Sequence, residues 1–289
     1  MNGSRRFDPR TVEENVMKFL MIVATATILG TVVLIVATIV AKGLPALDLA
    51  MLTQTPKGGF YLGKEGGVLN AIVGSLLLAG GATVLSAFLS IPIVLYLNVY
   101  SRRGSRLASF TRFSFDVLWG VPSIVYGAFG FTLMIMLGLR ASLLGGILAV
   151  SLLVLPIMCR AMDEVARMVP RSLLDASYAL GTTRLEAALG ALVRQSLPGM
   201  LTAVLIAFGR GMGDAASVIF TAGFTDSLPT SLFRPVATLP LAIFFQLGTP
   251  VPEVQERAYA SALILTILIL IISMSARLLA RRQSRHVVR

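Results

Sequence analysis

The sequence is poor in the residues on which metal binding and covalent catalysis depend. Its 289 residues include one cysteine, Cys159, and one histidine, His286. A lone cysteine excludes an intramolecular disulfide and argues against a cysteine-ligated metal centre. The simplest interpretation makes Cys159 a packing residue and His286 a solvated residue of a basic tail. We therefore expect a chain with no catalytic residues and no cofactor of its own.

Charged residues are also scarce, at 13% of the chain, whereas hydrophobic residues make up 56% and the mean hydropathy is +0.83. A soluble domain of this length does not need so much apolar surface. We predict an all-α polytopic membrane protein with six transmembrane helices within residues 19–280. The first apolar run is too long for a signal-peptide core, so we expect it to be retained. The six runs cover 19–41, 69–98, 113–138, 142–160, 199–222 and 257–280.

The formal net charge of +11 would by itself be compatible with nucleic-acid binding. The basic residues instead cluster at the ends of the apolar runs, as topology signals do. The positive-inside rule places the richer side in the cytoplasm, so we expect a protein of the cytoplasmic (inner) membrane with both termini inside. The external loop 223–256 holds an apolar run too short to span, which indicates a re-entrant or interfacial segment. The basic segments are the N-tail 1–18, the loops 99–112 and 160–198, and the C-tail 281–289.

Two ionisable residues, Arg210 and Asp214, interrupt the apolar run 199–222. Each isolated charge near the bilayer centre costs at least ~2.5–3.5 kcal/mol. The two residues are at i,i+4 spacing, so we expect them to share one helix face and to form an ion pair. Such a pair either stabilises the helix bundle or serves a passing anion, and a guanidinium at mid-membrane favours an anion pathway.

Glycines flank this pair at positions 209, 211 and 213. Small residues let a second helix approach closely, and they also loosen a helix for gating. We favour packing as the explanation.

The loop 160–198 has its own helical pattern. Gly181 stands where a helix would end in the left-handed conformation, and Thr183 with Glu186 forms a capping box for a second helix. The pattern predicts two short helices that meet at a corner. By itself this local pattern favours an ordinary helical loop with no partner.

This loop resembles the EAA loop of ABC-importer permeases, in which a Glu-Ala-Ala triplet precedes a glycine and a later Leu-Pro. Asp175, Ala176 and Ser177 stand for the triplet, and Gly181 keeps its spacing. Leu-Pro recurs at Leu197-Pro198, although an earlier Leu-Pro of the pattern is replaced by Val193-Arg194. Four further segments resemble phosphate-specific (Pst) importer permeases of the A type, namely 66–75, 120–130, 210–223 and 229–240.

The resemblance implies a type I ABC importer permease with MetI-like architecture. Its implied partners are a second permease of the C type, two cytoplasmic ATPase subunits and an extracytoplasmic phosphate-binding protein. Arg210 and Asp214 would lie on the phosphate pathway, and the EAA-like loop would dock an ATPase.

ATP would be bound by the partner subunits, because this chain has no ATP site of its own. The stretch 58–64 has the glycine and lysine spacing of a P-loop, but Glu65 replaces the Ser or Thr that would hold magnesium. Two alternatives stay open: a permease for another oxyanion (sulfate, molybdate or phosphonate), and a stand-alone secondary anion carrier.

Overall fold

The chain folds into a bundle of helices, seen in a computed structural model that describes residues 9–57, 65–102 and 104–283. The P-loop-like stretch 58–64, His286 and the ends of both predicted tails lie outside these residues. Five described helices are long and apolar enough to cross a membrane, and there are six candidate spans if one bent helix pair is counted as a span. The elements are α1 (Pro9–Gly43), α2 (Leu49–Thr53), β1 (Pro56–Lys57), β2 (Glu65–Gly66), α3 (Leu69–Leu95), α4 (Arg106–Trp119), α5 (Ser123–Met136), α6 (Leu143–Met168), α7 (Arg171–Ala179), α8 (Arg184–Ala187), α9 (Arg194–Met212), α10 (Leu239–Leu247) and α11 (Pro252–Gln283), with π-helical turns at Tyr96–Tyr100 and Ala188–Val193.

Helix α6 is the centre of the bundle and packs against α3, α4, α5 and α9. Val150, Val154 and Met158 on α6 are fully buried. Helix α1 contacts α11 and exposes nearly all of its apolar side chains, as expected for a helix that faces lipid. The strands β1 and β2 form a two-residue antiparallel ribbon between α2 and α3.

The predicted third span, 113–138, is not one helix. Helices α4 and α5 meet at an angle of 102°. Pro122 precedes α5 and cannot donate the hydrogen bond that would continue α4, so the chain turns between Gly120 and Pro122. The buried Tyr126 fixes the bend, because its hydroxyl donates a hydrogen bond of 2.8 Å to the carbonyl of Leu118.

The predicted fifth span, 199–222, is also wrong in its second half. Helix α9 ends at Met212, and residues 213–238 form turns and extended chain. The short helix α10 follows, too short to span the bilayer alone.

The irregular segment 213–238 is joined to the N-terminus of α6 by backbone hydrogen bonds. The first amides of a helix have no partner within the helix, and here carbonyls of the segment accept from them. Non-helical backbone at membrane depth is tolerated only where its polar groups are satisfied inside the protein. The bonds are Ser142 N–H to Thr221 (2.9 Å), Leu143 N–H to Arg234 (2.9 Å) and Leu144 N–H to Leu232 (2.8 Å).

The predicted helical corner in the loop 160–198 is confirmed as a structure. Helices α7 and α8 flank Gly181, whose φ of +83° lies in the left-handed region. The capping box is complete, with Thr183 and Glu186 each accepting from the other's backbone amide. The first part of the predicted loop differs, because α6 continues to Met168.

Candidate functional site

Arg210 lies in the last turn of α9, and its side chain is 49% exposed. The next residue faces α6, where a side chain at Gly211 would come within 3.0 Å of Val150 and 3.8 Å of Val154. Those positions are ~10–17 Å along α6 from its N-terminal end, at ~1.5 Å per residue. The guanidinium therefore belongs to the interior of the span, at the negative end of a helix dipole that favours a cation.

Asp214 lies beyond the end of α9 and is only 5% exposed. Its Oδ2 accepts a hydrogen bond of 2.8 Å from the backbone amide of Ser217 and a second, short one from the Ser217 hydroxyl. The carboxylate thus caps the turn that begins the irregular segment. Asp214 therefore lies outside α9, which corrects the expectation that both charged residues share one helix.

The two charged groups lie close together but do not form a hydrogen bond. The distance from Arg210 Nη2 to Asp214 Oδ1 is 3.8 Å, which is long for a charge-assisted contact. Ser217 occupies Oδ2, so Oδ1 is the carboxylate oxygen nearest to the guanidinium. The arrangement presents a half-exposed cation beside an acceptor that is fixed in position.

Helix α5 packs closely against the turn that contains Ser217. A Cβ at Gly127 would come within 2.8 Å of the Ser217 carbonyl oxygen and 2.9 Å of Ser217 Cα. A larger residue would push α5 away from the turn, so the close approach requires glycine. Sequence reasoning missed Ser217 and Gly127 as neighbours of the candidate site, and 90 residues separate the two in the chain.

The three glycines around Arg210 behave differently from one another. Only Gly211 packs tightly, against α6, as predicted. A Cβ at Gly209 would meet nothing within 4 Å, and one at Gly213 would make ordinary contact, 3.6 Å from the Gly209 carbonyl.

The residues predicted to couple to an ATPase lie on α7 and at the corner that follows it. Asp175 and Ala176 are exposed, whereas Ser177 is half-buried, with its hydroxyl 2.8 Å from that of Thr182. Gly181 has open space around it. The corner is therefore an ordered, accessible knuckle held by its own hydrogen bonds.

A second arginine–aspartate pair was missed by sequence reasoning. Asp163 on α6 is fully buried, and both of its oxygens accept from Arg112 on α4, at 2.8 and 3.1 Å. Asn98, in the π-helical turn after α3, adds a hydrogen bond of 2.7 Å to Oδ1. The pair therefore joins three elements at the C-terminal end of α6.

Comparison with known proteins places the chain in a family. A family model for the binding-protein-dependent transport system inner membrane component matches residues 90–289. The chain belongs to this family. It is therefore a multi-pass membrane protein and a transport component, as the resemblance of its motifs indicated.

Several relatives are similar over most of the chain. The phosphate transport system permease protein PstA of Yersinia pestis is 37% identical over 83% of this chain and 80% of its own length. That of Haemophilus influenzae is 32% identical over 96% of this chain and 97% of its own. PstA 1 of Mycobacterium tuberculosis is 36% identical over 74% and 72%.

Solved structures show the same fold. A chain of the MetNI methionine ABC transporter in an inward-facing conformation superposes with a TM-score of 0.58 at 17% identity, over 75% of this chain and 95% of that one. This likeness confirms the MetI-like architecture of the helical bundle.

Proposed function

We propose that the chain is the A-type permease subunit of an ATP-driven phosphate importer and forms half of the translocation pathway. The observation that carries the proposal is the open Arg210–Asp214 pair at mid-span. The PstA relatives support phosphate as the substrate, because they are similar over most of the chain.

The geometry explains how a phosphate would be handled. The planar guanidinium of Arg210 suits two oxygens of a tetrahedral anion at once. Asp214 Oδ1 accepts a hydrogen bond from a protonated phosphate oxygen, whereas Oδ2 is already occupied by Ser217. Fully deprotonated sulfate has no proton to offer and is repelled by the carboxylate. The site therefore selects by repulsion as well as by attraction.

The proposal includes the assembly and its orientation. A second permease completes the pathway, two ATPase subunits act from the cytoplasm, and an extracytoplasmic protein delivers phosphate. Both termini are cytoplasmic, with residues 160–198 on the cytoplasmic side and 223–256 outside. The α7–α8 corner docks an ATPase, whose closure moves α9 and alternates access to Arg210.

Competition for uptake tests the substrate. In vesicles that contain the assembled transporter, unlabelled phosphate should suppress uptake of labelled phosphate, and sulfate at the same concentration should not. Equal inhibition by sulfate would favour a permease for another oxyanion. ATP-independent uptake by the purified chain alone would instead support a secondary carrier.

Substitution at the corner tests the coupling. Gly181→Val strains a backbone held at φ +83° and should abolish ATP-dependent uptake while leaving membrane insertion intact. Gly190→Val is the matched control, since Gly190 lies in the same loop, is exposed and has open space with no positive φ. Co-purification of the ATPase should fall only for Gly181→Val.

A further inference from the structure

The bundle contains a second concentration of arginines, well away from Arg210. A cavity of about 340 Å³ lies where the π-helical turn after α3, the first half of α4, the end of α6 and α7 meet. Four arginines line it, and Asp175 is the one carboxylate among its described lining residues. The arginines are Arg102, Arg112, Arg167 and Arg171.

The floor of this cavity is rigid. Arg112 is held by two hydrogen bonds to the fully buried Asp163, which Asn98 also contacts. Its guanidinium is therefore fixed in direction, and only its remaining N–H groups are free to face the cavity. Preorganised donors lose little entropy when an anion binds.

The rim of the cavity carries positive charges that no ion pair among the described residues neutralises. Arg102, Arg167 and Arg171 are exposed, and within the described part of the chain none of them has an ion pair. One carboxylate, Asp175, faces them, so the lining carries a net positive charge even when Arg112 is paired with Asp163. Uncompensated guanidiniums that converge on a cavity of this size suit a compact polyvalent anion.

We propose that this cavity binds a phosphate group at the membrane face opposite to the delivery of substrate. The group comes either from free inorganic phosphate in the cytoplasm or from the headgroup of an anionic lipid, both of which offer the same oxygens to the arginines. Asp175 belongs to α7, so occupancy of the cavity biases the position of the coupling corner. The site rests on the orientation proposed above, but not on the role proposed for Arg210.

The proposal is tested by binding to the purified, assembled transporter in neutral detergent. All variants carry Arg210→Gln, which weakens binding in the pathway, and the extracytoplasmic binding protein is left out, so that neither dominates the signal. Radiolabelled inorganic phosphate is the first probe. Retention of phosphatidylglycerol from vesicles of phosphatidylcholine with phosphatidylglycerol, read by native mass spectrometry, is the second.

The double variant Arg167→Gln/Arg171→Gln should weaken one of the two probes about tenfold or more, since each charge-assisted bond is worth about that factor. The double lysine variant Arg167→Lys/Arg171→Lys should retain most of the binding and guards against loss of folding. Arg194→Gln, an exposed arginine outside the cavity, is the matched control and should leave both probes unchanged.

Loss of phosphate binding identifies the free anion as the ligand, and loss of lipid retention identifies the headgroup. Either result supports the site. If both probes are unaffected, or if the double variant instead weakens only association with the ATPase, the cavity is not a phosphate-group site and the proposal fails.

Discussion

The two arginine–aspartate pairs of this protein contain the same chemical groups but differ in geometry and in burial. Arg112 and Asp163 meet at 2.8 and 3.1 Å, with the carboxylate fully buried and a third partner in Asn98. Arg210 and Asp214 stay 3.8 Å apart, and the guanidinium is half-exposed. In the first pair, both oxygens of Asp163 accept hydrogen bonds from Arg112. In the second pair, the guanidinium of Arg210 donates no hydrogen bond to Asp214, so its N–H groups can bind a ligand.

The comparison separates a structural ion pair from a candidate ligand site. Sequence reasoning left both explanations open for Arg210 and Asp214. The structure contains an example of the structural kind elsewhere, and the Arg210–Asp214 pair does not resemble it. What distinguishes them is the partner of the carboxylate, which is an arginine in one case and Ser217 in the other.

The largest effect is expected from Asp163→Ala. This change leaves Arg112 without its partner in a partly buried position and should cost about 3 kcal/mol of stability. The measurement is the thermal midpoint and yield of the purified complex. Asp116→Ala is the control, because its 3.3 Å bridge to Arg160 is half-exposed and should contribute no more than about 1 kcal/mol. Equal losses in both variants would show that the burial and the hydrogen bonds of Asp163 add nothing to stability beyond an exposed ion pair.

Arg210→Gln should lower transport and leave stability nearly unchanged, the opposite of the effect expected for Asp163→Ala. Uptake of phosphate should fall about 10- to 100-fold, because at least one charge-assisted contact to the anion is lost. The thermal midpoint should hardly change, since a pair 3.8 Å apart with an exposed partner contributes little. Arg210→Lys retains the charge without the planar fork and should be intermediate. A destabilised complex with normal uptake per molecule contradicts the assignment.

Asp214→Asn should have a smaller effect on rate and a clearer one on selectivity. The amide has one acceptor oxygen, which Ser217 N–H holds, so its NH2 group takes the place of Oδ1 and no longer repels a fully deprotonated anion. Phosphate uptake should fall several-fold while sulfate becomes a better competitor. The test compares sulfate inhibition in the variant and the parent protein. Selectivity that stays unchanged means that Asp214 serves only to cap its turn.

The smallest effect is the energetic coupling within each pair. A double-mutant cycle on stability with Arg112→Ala and Asp163→Ala should give a coupling of about 1–3 kcal/mol. The same cycle with Arg210→Ala and Asp214→Ala should give less than about 0.5 kcal/mol. Similar values for the two cycles would show that the long distance does not reflect a weak interaction.

Local signals in the sequence predicted most of the helices and the corner at Gly181. The six apolar runs, the capping box of Thr183 and Glu186, and the left-handed glycine each depend on a few neighbouring residues. The comparisons confirm the family that the EAA-like loop and the segment around Arg210 indicated.

The remaining features depend on contacts between distant residues. The apolar composition of residues 215–222 continues past the end of α9, so hydropathy alone carried the predicted helix too far. Arg112 and Asp163 lie 51 residues apart, and no spacing rule joins them. Pro122 was a visible signal for the bend between α4 and α5, but the packing of α5 onto the turn at Ser217 joins residues far apart in the chain.

The most direct test of the central claim measures access of an anion to Arg210 while both charged residues are intact. Gly213→Cys suits this purpose, because the position is exposed and has room for a side chain. Cys159, the only native cysteine, is buried and gives little background.

In the assembled transporter, an anionic thiol reagent should modify the cysteine introduced at position 213. Phosphate should slow the reaction, and adding Arg210→Gln should remove that protection. If phosphate does not protect, or protects equally without the guanidinium, then Arg210 does not lie on the path of the anion.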